Sequence, residues 1–444
     1  MTQPALGILT LYLNDNKVLE EKRVYEKMIA AAAKMGLDAF VFTPEDVEDR
    51  SGRIHALIYS PDSRSWIRRW VRFPNVIYDR CRIQRSKRFD QLLAFRKRYA
   101  HLTFLNRPLR NKWTIYRALW RVPAFRDHLP VTRLYQSSED VSVMLVKFPL
   151  LYVKPINGTG GRGILRIEKQ RNGTILLQGR DHRRRIVSPK RISRENLSSE
   201  LLQWDMNGDK YIVQQGLNIK LPNGRVHDYR MLVQKNGSGE WEVTGCAGRV
   251  GPSGSITSNL HGGGRASTMN NLLRQWVGSE AKIAQIRETA ESFGIAVAKH
   301  LEATYSALCE LALDLAIDRG GRVWLLEVNP KPAREVFLRA GEREVYRRAI
   351  TRPLEYALWV YRQKGPDRQG RTGQRSRSRS RVLPGAGASV GPGIGSGVGS
   401  GVGSGKGPGS GLRADSGANS AAPVSLVSDS ASGKELRRWY EGED

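Results

Sequence analysis

The sequence predicts an α/β (α+β) protein of three consecutive lobes that ends in a disordered tail. Three observations lead there. Apolar runs of strand length alternate with helix-like periodicity from the first residues to about residue 360. The 444 residues suffice for two or three packed domains, and the 40 % hydrophobic share can fill their cores. Near Gly365 the composition changes. An Arg/Ser run (Arg375 to Arg381) gives way to Gly/Ser/Val/Pro repeats (Gly395 to Gly405), which cannot bury enough apolar surface to offset the entropy of ordering.

The first lobe covers residues 1–110. Leu6 to Leu13 and Ala39 to Phe42 read as buried strands flanking a helix around Val24 to Met35, a βαβ unit. Ile54 to Tyr59 and Val76 to Tyr78 add strands, and Lys87 to Tyr99 a helix. A second lobe, residues 111–210, opens with a helical stretch and reaches an apolar strand at Leu150 to Val153. The third, residues 211–364, holds the strands Tyr211 to Gln215, Asp228 to Gln234, Trp241 to Arg249, Ala307 to Ile317 and Val323 to Val328. Between them lies an amphipathic helix over Glu280 to Leu301. Residues 365–444 form the tail, closed by a mixed patch at Leu436 to Tyr440.

Composition narrows the function only broadly. The formal net charge is +29, and residues 365–444, with 11 Lys/Arg and 7 Asp/Glu, contribute +4 of it. A body of +25 attracts polyanions but names none, and a solvated basic face explains it equally well. Nucleic acid is not the expected partner, because the Arg375 to Arg381 run lacks an aromatic-interleaved platform or recognisable module. No apolar run approaches the ~20 residues that span a bilayer. Leu6 to Leu13 has no basic leader or cleavage site, so it reads as a strand rather than a signal peptide. Cys81, Cys246 and Cys309 lie far apart without metal-ligand spacing, as structural thiols in a reducing cytosol do.

Three segments carry chemistry. In KPINGTGGRG (residues 154–163) a strand ends in Lys154, and Gly158, Gly160, Gly161 and Gly163 follow at once. Glycines let backbone amides approach a phosphate closely, and the lysine adds a point charge. The order is neither that of a P-loop nor of a dinucleotide-binding fingerprint. Taken alone, it also fits a glycine-rich hairpin turn leading into Ile164 to Ile167. The second segment is stronger. Asp314 lies in an apolar strand, and the next strand, after Gly320 and Gly321, carries Glu327 and Asn329 two positions apart on one face. Two carboxylates and an amide oxygen on one sheet surface suit Mg²⁺, with Mn²⁺ as an alternative. The competing account pairs both acids with arginines as surface salt bridges, which fits poorly with their apolar flanks. The third segment holds Arg230 and Arg249 on adjacent strands, placed to neutralise γ-phosphate charge, with Asn259 as a phosphate or metal contact. Gly262 to Gly264 form a candidate cover. His261 is a weaker candidate base, since a lone loop histidine is more often an ordinary polar residue.

Together, the KPxxGxGGxG loop, the DYR strand, the SNLHGGG loop and the D…ExNP pair resemble the ATP-grasp superfamily. The thirteen positions from Asp314 to Glu327 look like its characteristic gap. HDYRMLVQKNGSGEWEVTGCAGRVGPSGSITSNLHGGGRA and LLEVNPKPAREVF are similar to the YheC/YheD-like endospore coat-associated proteins, over about residues 1–360. The resemblance implies an N-terminal lobe, two lobes that clasp ATP, and MgATP as cosubstrate. It makes Lys112 and Lys154 the phosphate lysines, and Gln214, Gln215 and Leu217 part of the adenine-holding hinge. Gln215 stands where an acid is common, and no residue matches the ribose contact. The implied reaction joins an unidentified carboxylate to an amine (amino acid, peptide or polymer) through an acylphosphate. It also implies association with the spore coat and its proteins, while the sparse cysteines and missing signal peptide point to the cytosol before that assembly. The alternative is a structural coat protein that binds nucleotide without turnover and works through its tail.

Overall fold

A computed structural model of the protein describes residues 3–82, 86–158, 160–204, 210–260 and 263–364. The expected tail, with its Arg/Ser run, glycine repeats and Leu436 to Tyr440 patch, lies outside these residues, as do His261 and Gly262.

The N-terminal lobe contains β1 (Ala5–Leu9), α1 (Lys22–Lys34), β2 (Asp38–Phe42), β3 (Val47–Glu48), β4 (Arg53–Ser60), β5 (Ser65–Arg72), β6 (Val76–Asp79) and α2 (Lys87–Arg98). The strands form one sheet in the order β3-β4-β2-β1-β6, with β5 paired to β4. β1 lies parallel to β2 and β6, and these strands are almost wholly buried, as parallel strands covered on both faces are. α1 buries Val24, Tyr25, Met28, Ile29 and Ala32, one stripe of a helix. The strand expected over Leu6 to Leu13 stops at Leu9, and Tyr12 makes only an isolated bridge to Leu19. The β4–β5 hairpin was not anticipated beyond its first strand.

The middle lobe runs through α3 (Lys112–Trp120), α4 (Pro123–Arg126), β7 (Thr132–Tyr135), α5 (Ser138–Lys147), β8 (Leu150–Pro155), β9 (Ile164–Lys169), β10 (Ile175–Arg180), β11 (Ile186–Ile192), α6 (Leu197–Gln203) and β12 (Tyr211–Gln215). Its sheet has the order β11-β10-β9-β8-β12-β7. β12, grouped by sequence with the third lobe, therefore belongs to the middle sheet, antiparallel to β8 and β7. That pairing sets Lys154 opposite Ile212 and Tyr152 opposite Gln214.

The C-terminal lobe is a five-stranded antiparallel sheet, ordered β15-β14-β13-β16-β17. It comprises β13 (His227–Lys235), β14 (Trp241–Val250), β15 (Arg265–Thr268), α7 (Met269–Trp276), α8 (Glu280–Tyr305), β16 (Glu310–Ile317) and β17 (Val323–Asn329), followed by α9 (Glu335–Arg339) and α10 (Arg343–Lys364). All eight residues of β16 are buried, Glu310 and Asp314 included. One apolar core joins Leu6, Ile8, Tyr25 and Met28 of the N-terminal lobe to Leu232, Phe337, Ile350 and Leu354 of the C-terminal lobe.

Candidate functional site

The register of four antiparallel strands assembles the reacting end of the site. Asp228 on β13 is opposite Arg249 on β14. Arg230, two positions on and so on the same face, is opposite Asp314 on β16, which is opposite Glu327 on β17. Arg230 grips Asp314 through Nε and Nη2 at 2.9 and 2.8 Å. Arg249 grips Asp228 at 2.7 and 2.5 Å and reaches Asp314 at 3.1 Å. Burial raises the Asp314 carboxyl, but Arg230 and Arg249 together hold it down at about 2. The arginine pairing weighed from sequence is thus present at Asp314, though as a buried pair rather than a surface bridge.

The middle lobe supplies the lysines. Asn111 caps α3 by accepting from the Thr114 N–H, which puts Lys112 at the first helical position. Its Nζ donates to Pro155 O at 3.3 Å and to Gly158 O, and lies 3.7 Å from Glu327 Oε1. Lys154 Nζ donates to Gln214 Oε1 at 2.7 Å. Burial is the main cause that lowers its ammonium to about 8, with the Lys112 charge adding to it and Glu327 and Asp314 opposing.

Two adjoining cavities collect these groups. The first is lined by Lys112, Lys154, Gly158, Gln214, Glu327 and Asn329. The second is lined by Lys154, Gly160, Gly161, Gln214, Gln215, Leu217, Arg230, Arg249, Asn259, Asp314, Glu327 and Asn329, with Tyr152 and Thr257 among residues that sequence reasoning missed. Gly163 stands apart, beside His182 and Tyr211, where a Cβ would lie 2.8 Å from the imidazole. A third cavity, of about 560 Å³, links Arg230, Arg249 and Asn259 to Glu21 and Arg82 of the N-terminal lobe.

Asp314, Glu327 and Asn329 are the side chains that would hold a divalent cation. A carboxylate offers about four lone-pair positions, and Asp314 already meets Arg230 twice, Arg249 once and Asn329 Nδ2 at 3.4 Å, so a cation would displace one of these donors. Among the described residues no three His, Cys, Asp or Glu cluster as a cation site, so the amide and the nucleotide's own oxygens would complete the shell. No helix among the described residues is long and apolar enough to cross a membrane.

The chain is 28 % identical over 337 residues to the endospore coat-associated protein YheC of Bacillus subtilis, covering 74 % of this chain and 90 % of that one. It is 25 % identical over 367 residues to YheD of the same organism, covering 80 % and 79 %. Among solved structures it is similar to D-alanyl-alanine synthetase A of Vibrio cholerae, at 11 % identity and a TM-score of 0.48, over 81 % of this chain and 99 % of that one. The family described as YheC/D like ATP-grasp matches residues 101–360, and with the two lysines and the acidic sheet face in one place, the chain belongs to the YheC/D-like ATP-grasp family.

Proposed function

We propose that the protein joins a carboxylate to an amine with ATP, through an acylphosphate. The observation that carries this reading is that Lys112 and Lys154 of the middle lobe face Asp314, Glu327 and Asn329 of the C-terminal lobe across adjoining cavities. In the proposed reaction a substrate carboxylate oxygen attacks the γ-phosphorus, and the bond to ADP breaks. The amine nitrogen then attacks the acyl carbon, inorganic phosphate leaves, and the amine gives up a proton. These steps need positioning, charge neutralisation and exclusion of water, which the two lysines and the adjoining cavities serve. Asp314, Glu327 and Asn329 would hold Mg²⁺, which would supply positive charge against the charge of the transferring phosphate. Gln214, Gln215 and Leu217 are assigned to the adenine, and Gly158, Gly160 and Gly161 to the phosphates. The third cavity opens onto Arg230, Arg249 and Asn259 and is the natural place for the acceptor. By extension from the names of YheC and YheD, the protein works at the endospore coat.

Calorimetry of MgATP binding to the full chain and to Glu327→Ala tests the reading. Binding should weaken at least about tenfold in the variant, as expected on losing a charged contact. Phosphate release should require both acceptors. A wild-type protein that takes up no MgATP would sink the proposal.

A further inference from the structure

The arginines at the reacting end are already matched by acids. Arg230 holds Asp314 and Arg249 holds Asp228, each bidentately, so their charge is largely neutralised within the protein. A second group of arginines lies just beyond the glycine-rich loop and differs in this respect. Arg180 ends β10 and is only 7 % exposed. Its Nη1 donates to Thr257 Oγ1 at 3.3 Å and its Nη2 to Arg184 O at 3.2 Å, while its Nε has no partner among the described residues. Arg184, in the turn that follows, also has a buried Nε without a partner there. The carboxylate of this turn, Asp181, is taken by Arg185 Nε at 2.6 Å and by the backbone N–H groups of Arg183 and Arg185. Burial, and then the charges of Arg162 and Arg180, push the Arg184 guanidinium below the ordinary arginine range. Desolvated like charges without a counter-charge are unfavourable, and a purely structural role gives no reason to keep them.

The backbone points the same way. Arg184 has φ +67°, a left-handed conformation that favours glycine in a hairpin turn, yet an arginine occupies it. A Cβ on Gly160 would stand 2.8 Å from Arg184 Nη2. A Cβ on Gly161 would stand 2.5 Å from Asn259 Nδ2, 3.5 Å from Arg180 Nη1 and 3.6 Å from Thr257 Oγ1. The two glycines therefore let donors from three parts of the chain close directly on the loop, and both glycines line the second cavity.

We propose that Arg180 and Arg184 bind the terminal phosphate of the nucleotide beside this loop, and neutralise it during transfer. The inference rests on the nucleotide reading given above. The chemistry these donors recognise is a phosphate oxyanion, which a nucleotide or free inorganic phosphate can present.

The experiment is calorimetry on the full chain with Mg²⁺ and either ADP or a non-hydrolysable ATP analogue, with inorganic phosphate as a third titrant. Wild type, Arg180→Gln, Arg180→Lys and Arg184→Gln are compared, each checked for an unchanged melting temperature. Arg184 is only half-buried, so its variant remains informative if Arg180→Gln fails to fold. Wild type should prefer the analogue over ADP. Both glutamine variants should lose about tenfold or more of analogue affinity, as for a charged hydrogen bond removed, and keep their ADP affinity. Arg180→Lys should recover part of the loss. An unchanged preference in both variants overturns this proposal alone, and so does equal weakening of analogue and ADP. Phosphate binding that disappears in the variants while the nucleotide preference stands assigns the two arginines to free phosphate and overturns it too. Wild type that binds neither nucleotide overturns the reading of the site along with it.

Discussion

Lys154 projects from β8 into a space shared with Lys112, and burial more than any neighbour lowers its ammonium to about 8 from the usual 10.5. Phosphates require the charged form. Below pH 8 the free protein already carries it; above pH 8 the amine is neutral and nucleotide must bind together with a proton. MgATP affinity should therefore be level near neutrality and fall, by up to about tenfold per pH unit, as pH rises above 8. Lys154→Arg keeps its charge across this range and should flatten the profile. Calorimetry from pH 7 to 9.5 reads this, and a level wild-type profile would contradict the assignment. Lys112 sits in the first turn of α3, where a cation opposes the helix dipole, a position that favours a bound anion over helix stability. Lys154, Asp314 and Glu327 were legible in the sequence because polar residues interrupting an apolar strand have few structural explanations. Arg180 and Arg184 were not, because RDHRRR reads as a solvated basic turn, and only the fold shows that Arg180 is buried and that the Arg184 Nε is too.

Among the elements, β16 carries the most constraint, since it is buried along its whole length and yet holds two acids four residues apart on one face. Asp314 lines the second cavity. Glu310 instead bonds Arg80 Nη1 and Arg334 Nη2, each at 2.6 Å, in a network that also takes in Tyr78 and Gln234. Burial raises the Glu310 carboxyl, but Arg334 and Arg80 outweigh it and hold it below the usual range. The stability it contributes is thus present above the ordinary glutamate range and lost as pH falls through the lowered value. Removing one partner of such a pair leaves buried charge uncompensated, so Glu310→Gln should cost about 3–5 kcal/mol in urea unfolding at neutral pH. A loss below about 1 kcal/mol would mean that Glu21, which also holds Arg80 at 2.6 Å, suffices alone. Elements that announce themselves by burial, such as β1, α1, β16 and α8, were readable. β11 was not, because nearly every residue is exposed and pairing to β10 alone defines it. β12 was assigned to the wrong sheet because its partner β8 lies far back in the chain, beyond what local pattern can report.

At the scale of the molecule, the N-terminal and C-terminal lobes share one core while the middle sheet stands outside it. α10 makes the junction. It packs on α1 and β13, Lys27 Nζ meets the Tyr346 hydroxyl at 3.2 Å, and Ile350 and Leu354 sit in the same cluster as Leu6 and Met28. Pro353, buried within α10, hides this helix from sequence reasoning, since proline normally ends one. A base built from two lobes with a shared core keeps the acidic sheet face and the acceptor cavity in fixed relation. The middle lobe is then the part free to close over nucleotide. Leu354→Ala tests that division. Emptying a fully buried leucine position should cost about 2–5 kcal/mol. Hydrogen exchange should then quicken together in β1, β13 and β14, as expected when one cooperative unit is weakened, while β8 to β10 keep their protection. Faster exchange confined to α10 would show that the lobes hold together without it. Faster exchange in the middle sheet as well would mean that the whole chain unfolds as one unit, and that closure cannot be a motion of one lobe against a stable pair.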